Sequence, residues 1–190
     1  MKIGLFFGSF NPIHIGHLII AQHFADWTDL DQVWLIVSPQ NPFKEKSGLL
    51  DEKHRLYMAN IAVEDNDRIR ASNVEFHLPQ PSYTIDTLTY LEEKYPDHRF
   101  VLLMGSDNLP TLHKWKNAGL LLQRYPIRVY LRPGQTNTNP YPEADITFTE
   151  APLLNISATF IRQAVHEGRD IRYLVPEKVY EYIRSMHFYQ

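Results

Sequence analysis

The segment Gly8–His17, GSFNPIHIGH, carries the side chains of this chain that are best suited to chemistry. His14 and His17 lie around the predicted start of the first helix. The first turn of a helix offers unpaired N–H groups and a partial positive charge, which together favour an anion. Gly8 and Gly16 have no Cβ, so a phosphate or a ring could approach the backbone there. The segment therefore predicts a site for a polyphosphate whose charge shifts during a reaction.

Other phosphate-binding patterns do not match this segment. The chain lacks the Gly-x-Gly-x-x-Gly fingerprint and the P-loop signature at this point, which argues against a dinucleotide dehydrogenase and a P-loop ATPase. One histidine near a helix start would more often be an ordinary hydrogen-bonded side chain. The whole ten-residue string directly after a first strand favours the functional interpretation.

Short apolar runs alternate with longer amphipathic stretches along the chain. The predicted strands are 2–7, 32–37, 69–76, 100–104, 127–131 and 146–149. Five helices are predicted, over 16–27, 52–63, 84–95, 158–167 and 176–185. Asp51, Ser82 and Ser157 are the predicted N-caps of the second, third and fourth, and Gly168 follows the fourth as its predicted C-terminal glycine. This alternation predicts a single α/β domain over 1–190, a doubly wound, Rossmann-like parallel sheet with helices on both faces.

In such sheets, ligands bind beyond the carboxyl ends of the strands, near the point where the strand order reverses. The predicted working loops are therefore Gly8–His17, Ser38–Lys44, Gly105–Trp115 and Arg132–Gly134.

Composition excludes several classes of function. The 19 Lys and Arg against 22 Asp and Glu give a formal charge of −3, which argues against a general nucleic-acid binder. The absence of cysteine excludes disulfides, thiolate catalysis and cysteine-ligated metals. No signal peptide or membrane span is apparent, so we expect a cytoplasmic protein without a membrane partner.

His14-Ile15-Gly16-His17 matches the HIGH signature of nucleotidyltransferases and class I aminoacyl-tRNA synthetases. The chain has no KMSKS-like string and no room for an anticodon domain, which disfavours a synthetase. More narrowly, it resembles the bacterial nicotinate-nucleotide adenylyltransferase family over nearly its whole length. The strings that carry the resemblance are GSFNPIHIGHL at 8–18, PQNPFK at 39–44, PSYTIDTL at 81–88, MGSDNLPTLHKW at 104–115 and NISATFIR at 155–162.

The resemblance implies transfer of AMP from ATP to nicotinate mononucleotide, with nicotinate adenine dinucleotide and pyrophosphate as products. The residues implied in catalysis are His14, His17, Lys44 and Arg162. Those implied in ATP binding are Gly8, Ser9, Phe10, His14, Gly16, His17, Ser157 and Arg162, with Arg132 as a weaker candidate. Those implied in acceptor binding are Ser9, Phe10, Lys44, Thr84, Asp107 and Trp115.

Each of these residues also has an ordinary structural interpretation. Trp115 could be a core residue, Thr84 a helix-start residue, Asp107 a loop cap, and Lys44 a solvated lysine. Two further positions depart from the family pattern, because Phe43 stands where histidine is common and Ala158 where a second Ser or Thr is common.

The acceptor's phosphate monoester has a second pKa near ~6, so it attacks the α-phosphate of ATP as a dianion and needs no general base. We expect Mg²⁺ to bind chiefly through the triphosphate and water, and we predict no metal site made by protein alone. Alternatives are a related adenylyl- or cytidylyltransferase acting on nicotinamide mononucleotide, flavin mononucleotide or phosphopantetheine, and a nucleotide-binding module without turnover. The sequence leaves open the nicotinate or nicotinamide preference and the oligomeric state, a homo-oligomer included.

Overall fold

The computed structural model describes residues 1–39, 48–132, 138–152 and 154–190. The strands in these ranges are β1 (Lys2–Gly8), β2 (Gln32–Val37), β3 (Ile69–Ser72), β4 (Arg99–Gly105), β5 (Ile127–Tyr130) and β6 (Ile146–Thr149). The α-helices are α1 (Ile15–Trp27), α2 (Glu52–Val63), α3 (Thr84–Lys94), α4 (Ala118–Arg124), α5 (Ala158–His166) and α6 (Glu177–Ser185). Two 3₁₀ helices cover Val74–His77 and Ser106–Lys114.

The strands form one parallel sheet in the order β3-β2-β1-β4-β5-β6. The chain starts in the middle at β1, runs outward to β3, and then crosses back to β4 on the other side of β1. The strand order therefore reverses between β1 and β4, and the carboxyl ends of these two strands diverge into separate loops. This is the doubly wound α/β fold that the sequence predicts, and the prediction is confirmed.

Both faces of the sheet are buried. Leu5 and Phe6 are adjacent in β1, so their side chains point to opposite faces, and each joins a different core cluster. Phe6 packs in the cluster that also contains residues of α1, α2, α5 and α6, whereas Leu5 packs with residues of α3 and α4. Burial on both faces explains why the strands read as continuous apolar runs.

Local signals explain several helix ends. The Asp51 Oδ1 atom accepts a hydrogen bond from the Lys53 amide at 2.8 Å, and the Ser157 hydroxyl accepts one from the Phe160 amide at 3.1 Å. Both are the predicted N-caps. Gly168 follows α5 with φ 69°, the left-handed conformation that favours glycine after a helix.

Two predictions of local structure were wrong, and two short elements were not predicted. The strand predicted over 69–76 ends at Ser72, and a 3₁₀ helix follows. The 3₁₀ helix at 106–114 and α4 were not predicted, since the first contains Pro110 and the second is only seven residues long. Finally, Ser82 does not cap α3. Its hydroxyl instead donates to the buried Glu75 carboxylate, and Tyr83 occupies the N-cap position.

Candidate active site

A cleft of about 630 Å³ opens at the carboxyl ends of the central strands. It is lined by the turn that follows β1, the start of α1, the start of α3, the loop after β4 and the start of α5. This is the place where the strand order reverses, so the cleft lies where the topology rule puts a ligand.

The turn after β1 forms the floor of the cleft. Phe10 has φ 44°, a left-handed conformation, and its ring is buried. A Cβ on Gly8 would approach this ring to 2.9 Å, so only glycine leaves room for it there. The turn therefore brings the backbone around Ser9 to the cleft while its aromatic side chain joins the core.

The two histidines stack on each other at the start of α1. Their ring centroids are 3.6 Å apart at an interplanar angle of 24°. The His17 Nδ1 atom lies 3.3 Å from the backbone nitrogen of His14 and accepts its hydrogen bond, which fixes the His17 ring against the first turn. A Cβ on Gly16 would lie 3.1 Å from the His14 ring, so glycine at this position makes room for the imidazole.

Burial keeps the His14 imidazole neutral. Desolvation, and next the positive charge of Arg132, lower the pKa of His14 from 6.5 to about 4. Its Nδ1 atom is buried and has no hydrogen-bond partner in the part of the chain that the structure describes. A buried polar atom is normally paired, so this nitrogen is an exception among the described residues, and a bound ligand is one group that would pair it.

The opposite wall is the start of α3, which a buried carboxylate holds in place. Glu75 accepts hydrogen bonds from the Ser82 hydroxyl at 3.0 Å and from the Thr87 hydroxyl at 2.8 Å. Desolvation raises the pKa of Glu75, while these hydrogen bonds act in the opposite direction. Thr84 lies between the two hydroxyl residues and lines the cleft.

The segments after β4 and β5 together add a charged pair, and the segment after β4 also adds an indole. The Arg132 Nε atom and an Asp107 carboxylate oxygen are 3.0 Å apart, and both side chains are about half exposed. Gly105 lies against this pair, because a Cβ there would collide with the Asp107 carboxylate. Trp115 ends the 3₁₀ helix Ser106–Lys114 and lines the cleft with part of its surface exposed.

The start of α5 closes the remaining side of the cleft. The Arg162 Nη1 atom donates to the carbonyl oxygen of Asn11 at 2.8 Å, and Nη2 donates to the Thr159 hydroxyl at 3.3 Å. Arg162 thus connects α5 to the turn after β1. A guanidinium has five N–H donors, so these two contacts leave further donors able to meet an anion.

Beneath the cleft, the fully buried Arg55 joins three loops. Its guanidinium donates four hydrogen bonds of 2.6–2.8 Å, all to backbone carbonyl oxygens, which belong to Ser9, Ser38, Pro39 and Leu50. The Ser9 carbonyl follows β1, the carbonyls of Ser38 and Pro39 follow β2, and the Leu50 carbonyl precedes α2. The cation therefore holds together the ends of the two strands that lead into the cleft.

Eleven of the twelve residues assigned from the sequence line this one cleft: Gly8, Ser9, Phe10, His14, Gly16, His17, Thr84, Asp107, Trp115, Ser157 and Arg162. Arg132 lines it as well. Lys44, together with Phe43, lies outside the described residues. Among the residues that the structure describes, no three His, Asp or Glu side chains come together to hold a metal ion.

Sequence reasoning missed the residues that support the cleft. Asn11 was in the motif without a role, and Arg55, Glu75 and Tyr189 were not considered. A fully buried arginine has no signature in a single sequence. Arg55 ends the segment 51–55, DEKHR, whose charged residues are typical of an exposed helix start. Asn11 did offer a signal for a supporting role, because it is a polar residue within the recognisable string GSFNPIHIGH.

None of the helices in the described ranges has the length and apolar character needed to cross a membrane.

The chain matches the cytidylyltransferase-like family over residues 5–164. A protein of Flavobacterium johnsoniae named "Probable nicotinate-nucleotide adenylyltransferase" is 51% identical over 194 residues, covering 100% of both chains. A protein of Cytophaga hutchinsonii with the same name is 52% identical over 189 residues, covering 100% of this chain and 98% of that one.

Solved structures share the fold. The nicotinic acid mononucleotide adenylyltransferase of Plasmodium falciparum, complexed with NaAD, superposes with a TM-score of 0.83. The alignment covers 99% of this chain and 97% of that one at 19% sequence identity. At that identity, the likeness supports the architecture and no individual residue role.

Proposed function

The chain belongs to the nicotinate-nucleotide adenylyltransferase family, and from this premise we propose that it transfers AMP from ATP to nicotinate mononucleotide. A phosphate oxygen of the acceptor forms a bond to the α-phosphorus of ATP while the bond from that phosphorus to the bridging oxygen of the β-phosphate breaks. The products are nicotinate adenine dinucleotide and pyrophosphate. The observation that carries the proposal is the 51% identity to a relative of that name over the full length of both chains.

The His14–His17 pair is proposed to bind the triphosphate. His14 is neutral near neutral pH, so it acts first through a hydrogen bond, and its unpaired Nδ1 atom supports contact with a phosphate oxygen. The negative charge of a bound triphosphate favours protonation, which would strengthen this contact as charge moves to the leaving pyrophosphate. The free N–H groups at the start of α1 add to the same stabilisation.

The nucleophile of the proposed reaction needs no general base. A phosphate monoester is mostly dianionic near neutral pH. Catalysis then rests on positioning and on stabilising charge. We assign Arg162 and Lys44 to the phosphates and the start of α5 at Ser157 to the same anion, with Ser157 acting also as the helix cap.

The acceptor is proposed to bind on the α3 side. The Trp115 indole can stack on the flat pyridine ring, which is worth about 0.5–1.5 kcal/mol beyond burial. Thr84 can donate a hydrogen bond to the nicotinate carboxylate. Asp107 can accept hydrogen bonds from ribose hydroxyls, and its pairing with Arg132 holds the carboxylate at the edge of the cleft.

Mg²⁺ is proposed to enter with ATP. Asp107 is a single, half-exposed carboxylate that is already paired, and Glu75 is engaged by two hydroxyls, so the residues present fit a cation held mainly by phosphate oxygens and water. When bound, such a cation neutralises charge on the triphosphate.

The substrate assignment is tested with an acceptor panel. The protein is incubated with ATP, Mg²⁺ and, in turn, nicotinate mononucleotide, nicotinamide mononucleotide or phosphopantetheine, and pyrophosphate release is measured. We expect the highest kcat/KM with nicotinate mononucleotide. A higher value with phosphopantetheine, or tight ATP binding with no pyrophosphate from any acceptor, would overturn the assignment.

The role of the histidine pair is tested with His17→Ala. We expect a folded protein whose kcat is lower by about 100-fold or more, the usual effect of losing one group that stabilises transition-state charge. His23→Ala is the matched control, because His23 lies on the same helix and stacks on Trp27 away from the cleft. Near-normal turnover of His17→Ala would refute the assigned role.

A further inference from the structure

The end of the chain folds back onto the turn after β1. The hydroxyl of Tyr189, the residue before the last, donates a hydrogen bond of 2.8 Å to the Asn11 Oδ1 atom. Burial raises the pKa of the Tyr189 phenol, so the hydroxyl keeps its proton and remains a donor near neutral pH. The contact joins two positions 178 residues apart and attaches the segment after α6 to Asn11, which lines the cleft.

Asn11 is the point where several elements meet. Its side chain is buried, and its Oδ1 atom also accepts a hydrogen bond from the Leu50 amide at 3.3 Å. Its Nδ2 group donates to the Gly48 carbonyl oxygen at 2.9 Å. The bond from Tyr189 is shorter than the bond from Leu50, so the tyrosine hydroxyl is the stronger constraint on the Asn11 amide oxygen.

The backbone of the same residue holds Arg162. The Asn11 carbonyl oxygen accepts from the Arg162 Nη1 atom at 2.8 Å, and Arg162 lines the cleft. Tyr189 and Arg162 thus bind the two ends of one residue, the first at its side chain and the second at its carbonyl. A shift of Asn11 would move the carbonyl that orients the guanidinium.

We propose that Tyr189 is a positioning residue of the nucleotide site, which fixes Asn11 and, through the Asn11 carbonyl, aims Arg162 at the phosphates of ATP. The inference rests on the proposed function, because it needs ATP in this cleft. The ring of Tyr189 packs against the core, and phenylalanine keeps that packing while it removes the hydroxyl. The proposal therefore concerns one hydrogen bond and can be tested apart from the packing of the terminus.

The test compares Tyr189→Phe with Tyr180→Phe. Tyr180 is a buried tyrosine on α6 whose hydroxyl lies 3.4 Å from Arg172 and from Arg184, outside the cleft. Binding of α,β-methylene-ATP with Mg²⁺ is measured by calorimetry at 10 and 25 °C, with circular dichroism to verify folded protein. Assay at the lower temperature keeps a variant of reduced stability folded.

We expect Tyr189→Phe to weaken binding of the analogue by about fivefold and Tyr180→Phe to leave it within twofold. In an Arg162→Ala background, Tyr189→Phe should cause no further loss, because its effect acts through Arg162. The KM for ATP should rise in parallel, while the KM for nicotinate mononucleotide should stay within twofold of the wild type.

Three results would overturn the proposal: unchanged binding in Tyr189→Phe, an equal loss in Tyr180→Phe, or an undiminished loss in the Arg162→Ala background. Failure of the proposed function is seen separately. It would appear as absence of pyrophosphate release by the wild type with nicotinate mononucleotide, and the calorimetric comparison would still decide the role of Tyr189.

Discussion

The neutral state of His14 gives a quantitative prediction for the pH dependence of stability. Burial holds the pKa of His14 at about 4 in the folded protein, against 6.5 for an ordinary histidine. Below about pH 6.5 the unfolded chain takes up a proton that the folded protein does not bind. The stability contribution of neutral His14 is therefore fully present above pH 6.5 and is lost as the pH falls toward 4. The total loss corresponds to roughly 3 kcal/mol, with about 2 kcal/mol of it between pH 7.5 and 5.

The assay is urea unfolding of the wild type and of His14→Asn at a series of pH values without nucleotide. Other groups titrate in the same range, so the informative quantity is the difference between the two pH profiles. We expect the free energy of unfolding of the wild type to fall by about 2 kcal/mol more than that of His14→Asn between pH 7.5 and 5. His187→Asn is the control for loss of a histidine as such, because His187 is exposed in the folded protein and lies outside the cleft. Parallel profiles for the wild type and His14→Asn would refute the reasoning.

Three further predictions concern the residues that support the cleft. Arg55→Met should lower the free energy of unfolding by about 3 kcal/mol, because it removes a buried cation that donates to four backbone carbonyls, one of them buried and three partly buried. A change below about 1 kcal/mol would contradict this. Glu75→Ala should cost about 2 kcal/mol in urea unfolding and raise the KM for nicotinate mononucleotide but not for ATP, since it frees the hydroxyls beside Thr84. Gly168→Ala should cost about 1 kcal/mol with unchanged turnover, because φ at this position is 69° and a Cβ meets nothing there.

Most of the sheet could be predicted because its strands are buried on both faces. β1, β2 and β4 are apolar at nearly every position, and such runs indicate a parallel sheet regardless of what the neighbouring loops do. The region 73–77 was harder. Val74 packs in the core as a strand residue would, but the segment turns into a 3₁₀ helix so that Glu75 reaches the hydroxyls at the start of α3. That carboxylate-to-hydroxyl network is a long-range contact that no local pattern encodes.

The residues that face the ligand were found from the sequence, whereas those that hold them were not. His14 and His17 stand in a recognisable string, and their spacing around a helix start already indicates an anion site. Arg55 acts through backbone carbonyls, and its contact with Ser9 joins positions 46 residues apart. Tyr189 acts through Asn11, and that contact joins positions 178 residues apart. Such supporting contacts depend on the folded topology, so a single sequence gives no direct signal for them.

The central claim is that the turn after β1 and the start of α1 bind the triphosphate of ATP. A crystal structure of the protein with α,β-methylene-ATP and Mg²⁺ tests it most directly. We predict that the imidazoles of His14 and His17 both face the triphosphate, with ring nitrogens within hydrogen-bond distance of phosphate oxygens. A triphosphate bound elsewhere, or rings turned away from it, would contradict the account.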